Sequence, residues 1–244
     1  MPSSGAGGPS PGPSLAIVIP AFHAAALLPD VLARIRRQAP GARVLVVDDG
    51  SDDGTAQAAA SAGATVLRHP ENLGKGRALE TGLGAAVEAG AGLVVTLDAD
   101  GQHPPEAIPQ LLEPILAGRA DLVVGARARG EGGMPAGRRV TNWLSSTLVS
   151  RALGFAVPDS QSGFRAMRGE VAARVRPTGG RYEYETEFLF LAARGGFRLA
   201  AVAVPTVYGG ERSHFRYGAD TLALAGVFLR HWRSILLGPE PTPR

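Results

Sequence analysis

The sequence contains no cysteine. That excludes disulfides, thiolate metal sites and cysteine nucleophiles, and the chain needs no oxidising compartment. It has a single lysine, Lys75, so its other fixed cations are arginines; the arginine fork suits phosphate oxygens better than an ammonium does. Aromatic residues are scarce, at 6%. The basic residues neither form one run nor interleave with aromatics, so nucleic acid is not an expected partner despite a pI of 9.8. The longest apolar run near the C-terminus, Leu222 to Leu229, is too short to span a bilayer. Residues 1–14 lack the basic start and apolar centre of a secretory signal and read as a flexible tail rich in Pro, Gly and Ser. Residues 238–244 read as a second loose end, and a cytoplasmic location is the expectation.

What is present suits one α/β domain. Short β-branched runs alternate with alanine-rich segments of helical spacing. Strands are expected at 15–19, 43–47, 64–68, 93–97 and 121–125, with helices at 24–38, from the Asp52–Asp53 cap to 62, at 74–89 and at 105–117. Beyond residue 128 the alternation loosens. A helix is expected over 138–153, a tight Ser-Gly turn within 159–167, a helix over 182–194 and a strand over 197–204. A polar loop at 209–218 is followed by an amphipathic helix over 219–237. Continuous apolar strands alternating with helices imply a mostly parallel sheet covered by helices on both faces. Ligands of such sheets bind beyond the carboxyl ends of the strands. Pro20-Ala21-Phe22, Asp48-Asp49, Asp98-Ala99-Asp100 and Gly125-Ala126-Arg127 are therefore expected to converge on one edge.

The strongest chemical signal is Asp98-Ala99-Asp100-Gly101-Gln102. Two carboxylates two residues apart, directly after an apolar strand, repel each other unless a cation sits beside them. Mg²⁺ or Mn²⁺ takes oxygen ligands and keeps positions for substrate phosphates, and Gln102 adds a neutral oxygen. The plainer reading makes Asp100 a cap or turn residue before Pro104-Pro105. Asp49 can accept a hydrogen bond from a nucleotide, while its neighbours make an Asx turn or cap the next helix. Lys75, in Asn72-Leu73-Gly74-Lys75-Gly76, sits at a helix start that can hold phosphate; a structural turn with a surface lysine is an equal alternative. The glycine spacing is not that of a Walker A loop.

The ordered set of these segments, continued by Asp159-Ser160-Gln161-Ser162-Gly163-Phe164-Arg165 and Glu211-Arg212-Ser213-His214-Phe215-Arg216, resembles the family 2 glycosyltransferases of GT-A (Rossmann-like) fold. Within them it is similar to the dolichyl- or polyprenyl-phosphate mannosyltransferase-like group, over residues 15 to 235. The resemblance implies that Pro20, Phe22, Val47 and Asp49 line the nucleotide pocket. Asp98, Asp100 and Gln102, with Ala99 between them, would bind Mn²⁺ or Mg²⁺ and the donor diphosphate. It also implies that Arg127, Arg138 or Arg139, Asn142 and Ser145 receive the acceptor phosphate. Arg212 and Arg216 would lie on a mobile acceptor loop, and Asp159 with the Ser162–Arg165 turn would shape the sugar site. The expected catalytic set is Asp100, Arg127, Asp159, Arg212 and Arg216, in a domain spanning 15–218. One departure stands out: Ala24 replaces the acidic residue that the family usually carries after its first strand, which leaves the base of the donor open.

The expected activity is inverting, metal-dependent transfer of a hexose, with mannose from GDP-mannose as the leading donor and a polyprenyl phosphate as acceptor. The alternatives are another nucleotide-sugar donor with a hydroxyl acceptor on a glycan, or a non-catalytic nucleotide-sugar binding protein. A phosphate acceptor is already ionised and needs no strong base; a hydroxyl would need a carboxylate, for which Asp159, Glu185 and Glu187 are candidates. The helix over 219–237 reads either as packed on the sheet or as a peripheral contact with the inner face of a membrane.

Overall fold

The computed structural model describes residues 13–127, 136–181, 183–205 and 225–231. The first half is built as the hydrophobic pattern requires. β1 (Leu15–Ala21), β2 (Arg43–Asp48), β3 (Thr65–Arg68) and β4 (Leu93–Thr96) alternate with α1 (Leu28–Gln38), α2 (Thr55–Ser61) and α3 (Lys75–Glu88). A 3₁₀ turn (Pro105–Ala107) then leads into α4 (Ile108–Leu116) and β5 (Leu122–Arg127). α5 (Ala136–Leu153), β6 (Arg165–Arg168), α6 (Gly169–Arg174), α7 (Glu183–Arg194) and β7 (Leu199–Val204) follow.

The seven strands form one sheet in the order β3-β2-β1-β4-β6-β5-β7. All neighbours are parallel except β6, which runs antiparallel to both β4 and β5. Because side chains alternate across a strand, β1 feeds both cores. Ile17 and Ile19 pack with α1 and α4 through Leu32, Ile35, Ile108 and Leu111. Ala16 and Val18 pack on the other face with α3, α6 and α7 through Leu83, Val171 and Phe188. Helices thus cover both faces. The carboxyl ends of β1, β2, β4 and β5 all lie at one edge, as the motif positions require.

Three local differences from the sequence expectation have physical causes. The first helix begins at Leu28 rather than Ala24, because the chain after β1 is tied to the next loop instead. There the Ala24 amide donates to Thr55 Oγ1 at 2.9 Å and the His23 amide to Ser51 Oγ at 3.0 Å. The segment expected as a turn up to residue 167 ends in a strand, β6, paired Thr96↔Arg165 and Val95↔Ala166. Its sequence, Arg-Ala-Met-Arg, has no continuous apolar run to reveal it. α6 was likewise not expected.

At the opposite edge, Asp121 clamps the ends of three strands. Arg198 donates to it through Nε at 3.0 Å and Nη2 at 2.8 Å, and Arg168 approaches through Nε at 3.2 Å. The hydrogen bonds from Arg198 come first in holding the Asp121 carboxyl down to about 2.

Of the expected C-terminal helix, residues 225–231 are described, and they pack on the domain. Val227 is buried, His231 stacks on Phe190 at 4.7 Å, and Arg230 Nη2 lies 3.3 Å from Glu187 Oε1. Leu229 faces outward. Among the described residues, no helix is long and apolar enough to cross a membrane.

Candidate active site

The turn after β2 is held by main-chain donors together with Arg68, which donates to the Ser51 carbonyl at 2.8 Å and lies 3.3 Å from Asp48 Oδ2. Asp48 Oδ1 accepts the amide of Ser51, three residues on, at 3.0 Å and so closes the turn. Asp49, 3% exposed, accepts the Leu73 amide at 3.0 Å and the Gly74 amide at 2.8 Å. His69 Nδ1 lies 2.7 Å from its Oδ1, and His69 Nε2 lies 3.0 Å from Thr81 Oγ1. A carboxylate only accepts, so Nδ1 carries the proton. Asp49 therefore joins the end of β2 to the loop that starts α3. The N-cap of α2 is Gly54, not the expected Asp52 or Asp53; Asp53 instead closes an Asx turn just before it, its Oδ1 accepting from the Thr55 amide at 3.0 Å and from the Thr55 hydroxyl.

Beside this turn, Phe22 stacks on His23 with ring centroids 4.0 Å apart. His23 has φ 51, the one positive value on a non-glycine residue among those described. Its Nε2 lies 2.9 Å from Asp52. Pro20 is buried at the end of β1. Val47 is fully buried, so close under α3 that a Cβ at Gly82 would sit 3.1 Å from its Cγ2.

The second turn, after β4, is held by charge. Leu97 and Ala99 anchor it in the core, while Asp98, Asp100 and Gln102 are only partly covered. Asp100 Oδ1 accepts the Gln102 amide at 3.0 Å, so Asp100 shapes the turn and does not cap the helix beyond it. The Lys75 ammonium, on the first residue of α3, lies 2.8 Å from Asp98 Oδ1 and 3.0 Å from Oδ2. It also lies 2.8 Å from Glu185 Oε1 on α7. Burial opposes the charge on Lys75, but Asp98 and Glu185 outweigh it and raise its pKa.

Below this pair, Arg165 is 3% exposed. It donates to the Ser162 carbonyl at 2.9 Å and the Ser160 carbonyl at 3.1 Å. Burial lowers its pKa, against the pull of Glu185, Tyr184, Asp159 and Asp98. Gly163 lies flat against Asp98: a Cβ there would sit 2.6 Å from Oδ1. The Thr96 hydroxyl fixes that glycine through its carbonyl at 2.7 Å.

These residues fit a hard divalent cation. Asp98 and Asp100 present oxygen donors two residues apart, and an ammonium already marks a cation position on Asp98. Among the described residues no three acidic or histidine side chains gather into a self-contained metal site. A cation here would complete its shell with Gln102, water and substrate phosphates, which is how Mg²⁺-type sites are commonly built.

Of the residues expected to receive the acceptor, Arg127 ends β5, and Arg138, Arg139 and Asn142 lie in the first half of α5. Ser145 is buried, its Oγ 2.7 Å from Ser160 Oγ. Asp159, beside Ser160, is 2% exposed. Glu187 is engaged by the Thr178 and Gly179 amides, each at 2.9 Å, and by Arg230. Arg212 and Arg216 lie outside the described residues.

The sequence model described as Glycosyl transferase family 2 matches residues 16–176. The chain is a family 2 glycosyltransferase. It is 34% identical over 203 residues to the undecaprenyl-phosphate mannosyltransferase of Micrococcus luteus, covering 78% of this chain and 82% of that one. It is 30% identical over 216 residues to the UDP-N-acetylglucosamine–dolichyl-phosphate N-acetylglucosaminyltransferase of Methanococcus voltae, covering 79% and 85%. Its fold matches that of glucosyl-3-phosphoglycerate synthase from Mycobacterium tuberculosis, solved with Mn²⁺, UDP and glucosyl-3-phosphoglycerate. The TM-score is 0.73 at 26% identity, over 90% of this chain and 80% of that one. The architecture is GT-A.

For this glycosyltransferase, sequence reasoning had named Asp98, Asp100, Lys75 and Glu185 separately. It missed that Lys75 and Glu185 pair, because they lie 110 positions apart and no local pattern links α3 to α7. His69, which no local pattern singles out, is held by Asp49 and Thr81. The sequence places Arg165 in a turn; its burial comes with β6, which the sequence conceals.

Proposed function

We propose that the chain transfers mannose from GDP-mannose to a polyprenyl phosphate, with inversion and with Mn²⁺ or Mg²⁺ at Asp98, Asp100 and Gln102. The observation that carries this reading is the pair of carboxylates at the carboxyl edge of β4, faced by the chain's only lysine. Kinship with a protein named for a lipid-phosphate acceptor supports the acceptor class. Bound there, the metal would act as a Lewis acid on the leaving nucleoside diphosphate. The protein's part is placement. Pro20, Phe22, Val47 and Asp49 would surround the nucleotide, with Asp49 acting chiefly by holding the loop that carries Lys75. Arg127, Arg138, Arg139 and Asn142 would meet the acceptor phosphate, with Ser145 supporting them through Ser160. Arg212 and Arg216 would close over the donor, and Asp159 would border the sugar. A phosphate nucleophile arrives ionised, so the reaction rests on orientation and charge neutralisation and needs no general base. Such an acceptor would bring the enzyme to a membrane surface.

A second reading is a UDP-sugar donor, since no acidic contact at Ala24 selects the base. Ala24 offers no acidic side chain, and its amide is already committed to Thr55. The Methanococcus and Mycobacterium proteins also carry UDP in their descriptions.

Calorimetry with GDP-mannose, UDP-glucose and UDP-N-acetylglucosamine, each with and without Mn²⁺, separates the two. Metal-dependent binding of GDP-mannose alone, followed by transfer to undecaprenyl phosphate, is the expected result. Preference for a UDP-sugar selects the second donor. Transfer to a glycan hydroxyl but not to the lipid phosphate would overturn the acceptor assignment.

A further inference from the structure

Lys75 occupies a position that a metal-loaded site cannot leave unchanged. Its ammonium lies within 3.0 Å of both Asp98 oxygens. A dication drawn to the same carboxylate would face a resident positive charge at close range, in a partly covered site where like charges repel more than in open water. One of the two cations must yield, and the structure shows where the ammonium can go. Glu185 is 1% exposed and its Oε1 is 2.8 Å from Lys75 Nζ. Yet neither Glu185 oxygen completes a well-aligned hydrogen bond among the described residues. A buried carboxylate left in that state gains from a closer, better-directed donor. The four-carbon lysine stem allows the head to swing between two acceptors. Arg165 cannot compete for Glu185 by moving, since the Ser160 and Ser162 carbonyls hold it.

Resting on the metal role above, we infer that Glu185 is a positioning residue that takes over the Lys75 ammonium from Asp98 when the metal binds. In the metal-free site Lys75 stands in for the missing cation and keeps Asp98 charged and oriented. On loading, Glu185 receives the ammonium, so Asp98 is released to the metal without stranding a positive charge in the interior.

The hand-off gives the two partners opposite signs, which a merely structural ion pair does not. The test is binding of Mn²⁺ alone to the full-length protein, followed by loss of the free-ion electron paramagnetic resonance signal. Lys75→Met removes the competitor and is expected to tighten Mn²⁺ about tenfold. Glu185→Gln leaves the ammonium with nowhere to go but Asp98, and is expected to weaken Mn²⁺ about tenfold. Lys75→Arg retains a competing cation and should stay within about threefold of wild type. Thermal unfolding confirms that each variant folds; should Lys75→Met not fold, Lys75→Gln removes the ammonium in its place and carries the same expected sign. Loss of affinity in both Lys75→Met and Glu185→Gln, or no change in Glu185→Gln, overturns the hand-off. If wild type binds Mn²⁺ and that split is absent, the hand-off alone fails. If wild type binds no Mn²⁺ even with donor present, the metal role fails and takes this inference with it.

Discussion

The two aspartate turns at the carboxyl edge of the sheet look alike in sequence and are built on different principles. Asp48-Asp49-Gly50-Ser51 follows β2, and Asp98-Ala99-Asp100-Gly101 follows β4; each closes with a glycine at positive φ, 78° and 73°, a conformation that costs glycine little. After β2, the two carboxylates accept main-chain amides from Ser51, Leu73 and Gly74. Those donors are main-chain amides, whose positions follow the path of the backbone rather than the rotamer of a long side chain. After β4, Asp98 is met by an ammonium at the end of a flexible stem. The same residue type thus meets backbone amides in one turn and a movable side-chain cation in the other. The lesson is that the identity of the donor, more than the carboxylate itself, tells structure from chemistry.

Substitutions should separate the turns sharply. The largest effect is expected at Asp100. Asp100→Ala should lower turnover about 10²–10³-fold, the scale of losing a main electrostatic contact in a transferase site, while the thermal midpoint changes little. Normal turnover in that variant would place the metal elsewhere. Asp49→Ala should do the reverse. It strips a buried amide, a part-buried amide and an imidazole of their acceptor, and should cost about 2–4 kcal/mol in urea unfolding. A stable Asp49→Ala protein that fails only to bind donor would erase the contrast.

The smallest effect tests the far edge, away from the chemistry. The Asp121 carboxyl is held at about 2 in the folded chain, against an ordinary value of 3.8. A depressed folded pKa stabilises the fold above the unfolded pKa, and that contribution fades as pH falls from about 5 towards 2. With half-exposed arginine partners its size is about 1–2 kcal/mol. Asp121→Asn should therefore lose stability at pH 7 and show a flatter acid limb. An unchanged acid-unfolding curve would mean the clamp is already solvent-screened.

The parallel half of the molecule was readable because its physics is local. Val44-Leu45-Val46-Val47 and Leu93-Val94-Val95 are apolar runs that only a doubly covered strand explains, and each motif follows directly on such a run. β6 was unreadable because Arg165-Ala166-Met167-Arg168 carries arginines at both ends. One of them, Arg165, is buried by contacts with carbonyls that no residue pattern announces. Within the site, the carboxylates after β4 were legible from spacing. The partnership of Lys75 with Glu185, and the service of His69 to Asp49, are tertiary facts. They depend on α3, α7 and β2 being brought together. Gly163 looked like a simple turn residue until Asp98 was seen against it.

The placement of the only lysine in the chain also makes the site a natural reporter. Reductive methylation with isotope-labelled formaldehyde would mark one side-chain amine, beside the chain's terminal amine. Its nuclear magnetic resonance line would follow the environment between Asp98 and Glu185 without any engineered label, and slow modification of the resting protein would itself measure how tightly the two carboxylates enclose it.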